Sequence, residues 1–447
     1  MLSRRHPPVP DRRRPIKRQP VPYTLDATGQ DVHSEGTRLR EAGPASLVAL
    51  PGDVVAWAVT SLSGLQELLT DSRVSKDPRQ HWPRWINCEI TPEWPLFTWV
   101  AVQNMLTAYG ADHKRLRSLS TKAFTARNIA AQRPRIEKIT ADLLNALAAH
   151  PAGEVVDLRE DFAFPLPIEV ISQLFGVPAT MRTVLRKVVD GLFDTSLSAE
   201  EAKANQAQLY PLLNALIGIK RASPADDMTS ALIAARDDED NSRLSEAELA
   251  DTLVLMLSAG HETTVNLLDQ AITALLTHPD QLELVRSGKN SWDEVIEETL
   301  RWQAPIPFVP LRFAVEDIDF RGLVIRKGDA IIGAYDAANR SPEINGANAA
   351  EFDITRRNKD YITFGHGAHY CLGAPLAKLE ARIALPALFE HFPNMSLAIP
   401  PTELRPVGSF VSNGHRTLPV LLYRENVGEA RSGLPDPVGA RNFAPGC

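Results

Sequence analysis

The chain has 447 residues, 44% of them hydrophobic and 23% charged, with a net charge of −7. That is ample apolar material for a large core, and the acidic balance excludes an ordinary nucleic-acid binder. Three cysteines, Cys88, Cys371 and Cys447, contain no Cys-x-x-Cys pair. This excludes a disulfide framework and a structural zinc cluster and fits a reducing, cytoplasmic compartment. No stretch approaches the roughly 20 apolar residues that span a bilayer, so no membrane anchor is expected.

Residues 1–21 hold Arg4, Arg5, Arg12, Arg13, Arg14, Lys17 and Arg18 among several prolines. No apolar segment follows them, which predicts a solvated, disordered basic arm, with a transit peptide as the alternative. Residues 22–424 show no internal repeat and no long linker, and read as one domain. Residues 425–447, rich in Pro, Gly and charge, read as a flexible tail.

Within the domain, aromatic residues gather at Trp82, Trp85, Trp94, Phe97 and Trp99, a set that fits a core more readily than a pocket. His113 and Arg117 are four apart and share a helix face. Ile136, Ile139, Leu143, Leu144 and Leu147 follow helical spacing. Ser245 and Glu248 form a capping box that opens a long helix predicted to run to about Thr277. Inside it, Ala259-Gly260-His261-Glu262-Thr263-Thr264 is a polar interruption. The small residues there would let a flat ligand approach the backbone. Thr263 can turn its hydroxyl onto the carbonyl of Ala259, which bends helices. An acid beside an alcohol suits a proton relay into an apolar site. A second capping pair, Ser291 and Glu294, opens the helix that carries Glu298 and Arg301. Strand signals are confined mainly to Arg312–Ala334, where Ile318 and Phe320 alternate before Gly322. A mainly α protein with a small β region follows.

The segment from Phe364 to Gly373 holds three glycines, and helical character resumes at Ala374, with Leu372, Leu376, Leu379 and Ile383 on one face. Cys371 therefore lies at or just before a helix N-terminus, where free amides and the dipole favour a thiolate. By composition alone, a buried unreactive cysteine is the better reading.

Phe364, Gly367, His369, Cys371 and Gly373 together resemble the haem-binding signature of the cytochrome P450 family, Phe-x-x-Gly-x-His-x-Cys-x-Gly. The resemblance runs in order from about Pro22 to Arg424, and His81-Trp82-Pro83 and Tyr109–His113 are most similar to actinobacterial members. It implies a single-domain, mainly α fold with haem b bound through the Cys371 thiolate to iron. The electronic role of that thiolate, pushing charge toward iron, is the known chemistry of this family. His113, Arg117, Arg312 and His369 would hold the haem propionates. Phe364, Gly365, Ala259 and Gly260 would lie against the cofactor. Thr263 would steady activated oxygen and Glu262 would feed it protons, with His261 and Thr264 structural. Glu298 and Arg301 resemble the family's Glu-x-x-Arg motif, with Arg356 as third member. Asn339-Arg340-Ser341-Pro342 departs from the usual Asn-Arg-Asp-Pro, which weakens one local contact. Leu257, Ile306, Phe308, Val309 and Phe410 would line an apolar substrate pocket.

The activity so implied is a monooxygenase that hydroxylates or epoxidises a lipophilic or aromatic small molecule such as a steroid, polyketide or modified peptide. No flavin or iron–sulfur segment is present, so electrons would come from NAD(P)H through a separate ferredoxin and its reductase. Two other activities are compatible with the motifs. One is oxidative coupling of aromatic rings without oxygen insertion, and the other is a haem sensor without turnover.

Overall fold

The computed structural model describes residues 21–237 and 241–423. The basic arm, apart from Val21, and the C-terminal tail lie outside the described residues. Helices dominate, and none among the described residues is long and apolar enough to cross a membrane.

The main sheet has six strands, in the order Tyr23–Thr24, Ala45–Leu50, Val54–Val59, Ala330–Ala334, Phe308–Ala314 and Val74–Ser75. Four of the six strands therefore come from the first 75 residues of the chain, not from Arg312–Ala334 as the strand signals predict. The physical reason is range. Ala45–Leu50 and Val54–Val59 are apolar runs too short for periodicity to tell strand from helix. Their identity as strands depends on pairing, Leu47 with Trp57 and Trp57 in turn with Ile331. Locally coded pairing is where expected. Ile318–Phe320 and Leu323–Ile325 form a hairpin in which Phe320 faces Leu323. Its two turn residues, Arg321 and Gly322, both have positive φ (50° and 84°), the conformation that a two-residue turn demands.

The predicted long helix is two helices. Glu246–Ala259 opens on the Ser245–Glu248 capping box, and Glu262–Thr277 continues it after a break at Gly260 and His261. At the break the Thr263 hydroxyl donates to the Ala259 carbonyl at 2.7 Å. A side chain added at Gly260 would meet Ile171 and the Met256 carbonyl at 2.9 Å. Local composition thus predicts a bend, and the close approach of Ile171 leaves room only for glycine at the interruption. Beyond the break, Val265, Leu268, Ala271, Ile272 and Leu275 are wholly buried, so this half forms the axis of the core. The helix Ala374–His391 packs against it.

Candidate active site

The loop before Ala374–His391 is shaped by its own backbone. Gly365 and Gly367 have positive φ (75° and 68°), and a β-carbon on Gly367 would come within 2.9 Å of the Leu69 carbonyl. The Cys371 amide donates to the Phe364 carbonyl at 2.8 Å, closing the loop on itself. This sets Cys371, half-buried, on the wall of a large apolar cavity. Burial pushes the thiol up; the amides of Gly373 and Ala374, and then Arg117, oppose it. The helix N-terminus thus supplies the stabilisation expected for a thiolate, but burial outweighs it until a cation arrives.

The same cavity is lined by Ala259, Gly260, Thr263 and Thr264 from the broken helix, by Phe364, Gly365 and His369 from the loop, and by Arg117 and Arg312. Arg117 also donates to the Tyr370 carbonyl at 2.7 Å. His113 is buried just behind, its ring 4.1 Å from that of His369, and its Nε2 has no partner. Three further polar residues lie on the wall that sequence reading missed, Lys76, Tyr335 and Glu380. Lys76 is buried with Nζ donating to the Pro310 carbonyl at 2.8 Å, and Tyr335 hydrogen-bonds Arg312. Neither carries a local signal: Lys76 stands in a polar stretch, Ser-Lys-Asp-Pro-Arg, that reads as a surface turn. Glu380, also buried on this wall, has one oxygen without a partner, and burial raises its carboxyl well above the usual range.

These cations repel one another. Burial first, then Arg312, His113, Lys76 and Arg117, drives the His369 ring far below its ordinary range. Burial and then Arg312 do the same to Lys76. A buried cluster of one sign with an orphaned histidine nitrogen calls for an anionic partner. A haem meets the demand: two propionates for the cluster, a flat apolar ring for the wall, and an iron for the Cys371 sulfur. The residues present fit that group.

The other expected residues divide. Glu262 is not on the cavity wall. Its Oε1 accepts from Ser412 (2.8 Å), Asn266 (3.2 Å) and Arg159 (3.3 Å) in a buried network behind the helix. Ile306 and Val309 line the cavity, but Leu257, Phe308 and Phe410 do not. Phe308 and Val309 are neighbours on one strand, so their side chains take opposite faces. Val309 faces the cavity, and Phe308 packs on Phe410 in the core, 6.2 Å between ring centroids. On the broken helix, Met256, Ala259, Gly260 and Thr263 share the cavity face at i, i+3, i+4 and i+7, which turns Leu257 away. Of the aromatic group only Trp99 reaches the cavity. Trp82 and Trp94 are buried under the sheet, and Trp85 stacks on Phe97.

Glu298, Arg301 and Arg356 do come together. Arg301 is completely buried, with two hydrogen bonds to Glu298 (2.7 and 2.8 Å) and one to the Ala349 carbonyl (2.7 Å). Arg356 Nε reaches Glu298 at 3.3 Å. The irregular segment that leads to the cysteine loop is thereby pinned to the helix Trp292–Trp302.

Comparison with known proteins agrees with this geometry. Residues 168–287 and 292–409 match the family model for Cytochrome P450. The chain is 46% identical over 401 residues to 2-hydroxy-5-methyl-1-naphthoate 7-hydroxylase of Streptomyces carzinostaticus, covering 90% of this chain and 97% of the relative. It is 36% identical over 405 residues to 6-deoxyerythronolide B hydroxylase of Saccharopolyspora erythraea, covering 89% and 97%. The solved structure of CYP154A1 from Streptomyces coelicolor superposes with a TM-score of 0.85 at 53% identity, over 90% of this chain and 100% of that one. With its mainly helical fold, small sheets and cysteine-walled cavity, the chain belongs to the cytochrome P450 family and is a P450 monooxygenase.

Proposed function

We propose that this enzyme hydroxylates or epoxidises a lipophilic product of secondary metabolism in the cytoplasm, with electrons delivered from NAD(P)H by a separate ferredoxin and its reductase. The observation that carries the reading is the wall of the cavity: Thr263 and the Cys371 sulfur share it with Trp99, Met105, Ile171, Phe193, Ile306 and Val309. Apolar side chains of this kind exclude water and hold a substrate with few polar groups. The two hydroxylases named above act on a naphthoate and on 6-deoxyerythronolide B, which suits such a lining.

When bound, the haem supplies a thiolate-ligated iron able to activate dioxygen. Arg117, Arg312, Lys76, His113 and His369 would hold its propionates and so set its orientation. Thr263 offers the only hydroxyl of its helical turn that both lines the cavity and already bonds the opened backbone at Ala259, so its Oγ1 can hold a proton at the oxygen site. Glu262, next along the chain, is the proton source behind it.

Thr263→Ala tests this reading. The variant should still consume NAD(P)H and oxygen, because neither electron delivery nor oxygen binding needs the hydroxyl. Product formed per NAD(P)H should fall and hydrogen peroxide should appear instead; general acid–base groups contribute about 10²–10⁴-fold, so the loss is easy to detect. Wild-type coupling in this variant would overturn the role of Thr263 and favour ring coupling without oxygen insertion.

A further inference from the structure

Behind the cavity, three proton-carrying side chains converge on the break in the central helix. His261 is wholly buried, and neither ring nitrogen has a hydrogen-bond partner. Phe164 packs against it with the rings nearly perpendicular, 4.3 Å between centroids. The Phe164 carbonyl lies close enough to favour a proton on the ring without closing a well-formed bond. Asp190, on the helix Ala179–Phe193, has a buried oxygen, Oδ1, that also lacks a partner, while its Oδ2 lies 3.9 Å from Arg186 Nε. One nitrogen or oxygen from each of Asp190, His261 and Glu262 lies within 4.8 Å of the other two. Buried polar atoms are almost always paired, so an unpaired carboxylate oxygen and two unpaired ring nitrogens in one place call for an explanation.

A metal ion is the first to consider, and the surrounding charge opposes it. Arg159 bonds Glu262 at 3.3 Å, and Arg186 stands over the Phe164 ring at 3.8 Å. Both guanidiniums bear on His261. A proton relayed in one concerted step leaves the His261 ring neutral throughout, so it never forms the imidazolium that those guanidiniums oppose. We propose that Asp190 and His261 are the outer segment of the path that supplies protons to Glu262. A proton taken from solvent by Asp190 passes to one imidazole nitrogen while the other nitrogen releases its proton to Glu262, across gaps that a single water spans. One proton enters and one leaves, no electrons move, and the ring returns to its starting tautomer before the next passage.

The charges around the cluster suit this use. Burial, and next the charge of Glu262, raise the Asp190 carboxyl to about 7; Arg186 and Arg159 pull it down and Glu160 adds to the rise. Asp190 therefore exchanges its proton near neutral pH. Burial and then Arg159 hold the His261 ring neutral, down to about 3, which keeps one nitrogen free to accept. On the far side of Glu262, Asp269 is occupied by His415 and Arg159, which closes that direction.

The inference rests on Glu262 being the proton source for the oxygen site. With substrate-saturated holoenzyme and redox partners, Asp190→Asn and His261→Leu should each slow oxygen consumption about tenfold, less than loss of a group that touches the reacting atoms. Both should raise the solvent deuterium isotope effect, and Asp190→Glu should restore the rate. In the wild type the rate should fall above pH about 7, as Asp190 loses its proton, and Asp190→Asn should lack that limb. Independently of turnover, infrared titration should show a carboxyl band near pH 7 that is absent from Asp190→Asn and moves to lower pH in Glu262→Gln. Asp190→Asn is nearly isosteric and keeps the test open should His261→Leu fold poorly. If Glu262→Gln is impaired while Asp190→Asn keeps its rate and isotope effect, the outer path is overturned and Glu262 stands. If Glu262→Gln is itself unimpaired, the role of Glu262 falls first and the path with it. One-to-one binding of zinc that Asp190→Asn abolishes would overturn the path in favour of a metal site.

Discussion

Lys76 shows at the scale of one residue how a buried charge can be costly to the empty protein and useful to the loaded one. The residue is 3% exposed, its ammonium donates to the Pro310 carbonyl, and Arg312 faces it. Without an anion, that arrangement lowers stability; with a propionate, it becomes a charge-assisted hydrogen bond worth about 1.5–3 kcal/mol. Lys76→Met should therefore move two measurements in opposite senses. The cofactor-free protein should melt no lower than wild type. The loaded protein should pass haem to apomyoglobin roughly ten- to a hundredfold faster, as expected from losing a bond of that strength. Unchanged haem transfer would place Lys76 outside the propionate site. The pairing of cost and use is what the sequence conceals, because Ser-Lys-Asp-Pro-Arg has the look of any exposed turn.

Among elements, the helix Trp292–Trp302 does the most to hold the cysteine loop in place. Its Glu298 accepts from Arg301, from Arg356 and from the Asp353 amide (3.0 Å), and Arg301 in turn binds the carbonyls of Ala349 and Glu351. One carboxylate and one guanidinium thus organise a stretch with almost no regular structure of its own. Removing one partner of a buried pair leaves the other charge uncompensated, at a cost of about 3–5 kcal/mol. Glu298→Ala and Arg301→Ala should each yield protein with little haem and a lowered melting temperature. Normal haem content with normal melting in both would show that the loop holds its shape without them. The broken helix is the second decisive element. Its interruption presents Ala259, Gly260 and Thr263 to the cavity while Glu262 turns to the opposite side, an arrangement that a continuous helix achieves only in part.

Across the whole molecule, a buried polar network joins segments far apart in the chain. Arg159 bonds Asp269 and Glu262, Ser412 bonds Glu262, and His415 reaches Asp269 through Nδ1 (2.9 Å) and its amide (2.7 Å). Burial lowers the His415 ring's affinity for a proton, but the charge and hydrogen bond of Asp269 outweigh it, and the net shift is upward from 6.5. A group raised on folding contributes stability that is fully present below its unfolded value and is lost as pH rises through the folded one. The melting-temperature gap between wild type and His415→Gln should therefore be widest near pH 6 and close as the solution becomes alkaline. A gap that stays constant or widens with pH would show that His415 is not charged in the folded state.

What the sequence by itself determined is local. The glycine-rich loop that seats Cys371, the capping boxes at Ser245 and Ser291, and the Ile318–Ile325 hairpin are each specified by residues within a few positions of one another. The family motifs belong to this class, since their spacing survives in the linear chain. The tertiary structure alone decided the rest. It made strands of Ala45–Leu50 and Val54–Val59 by pairing them with each other and by pairing Val54–Val59 with Ala330–Ala334, about 270 residues away. It sent Phe308 into the core and Val309 to the cavity, brought Lys76 into the cation cluster, and set Asp190 beside His261. In each of these cases the deciding quantity is the field or the packing made by distant side chains, which no window along the chain contains.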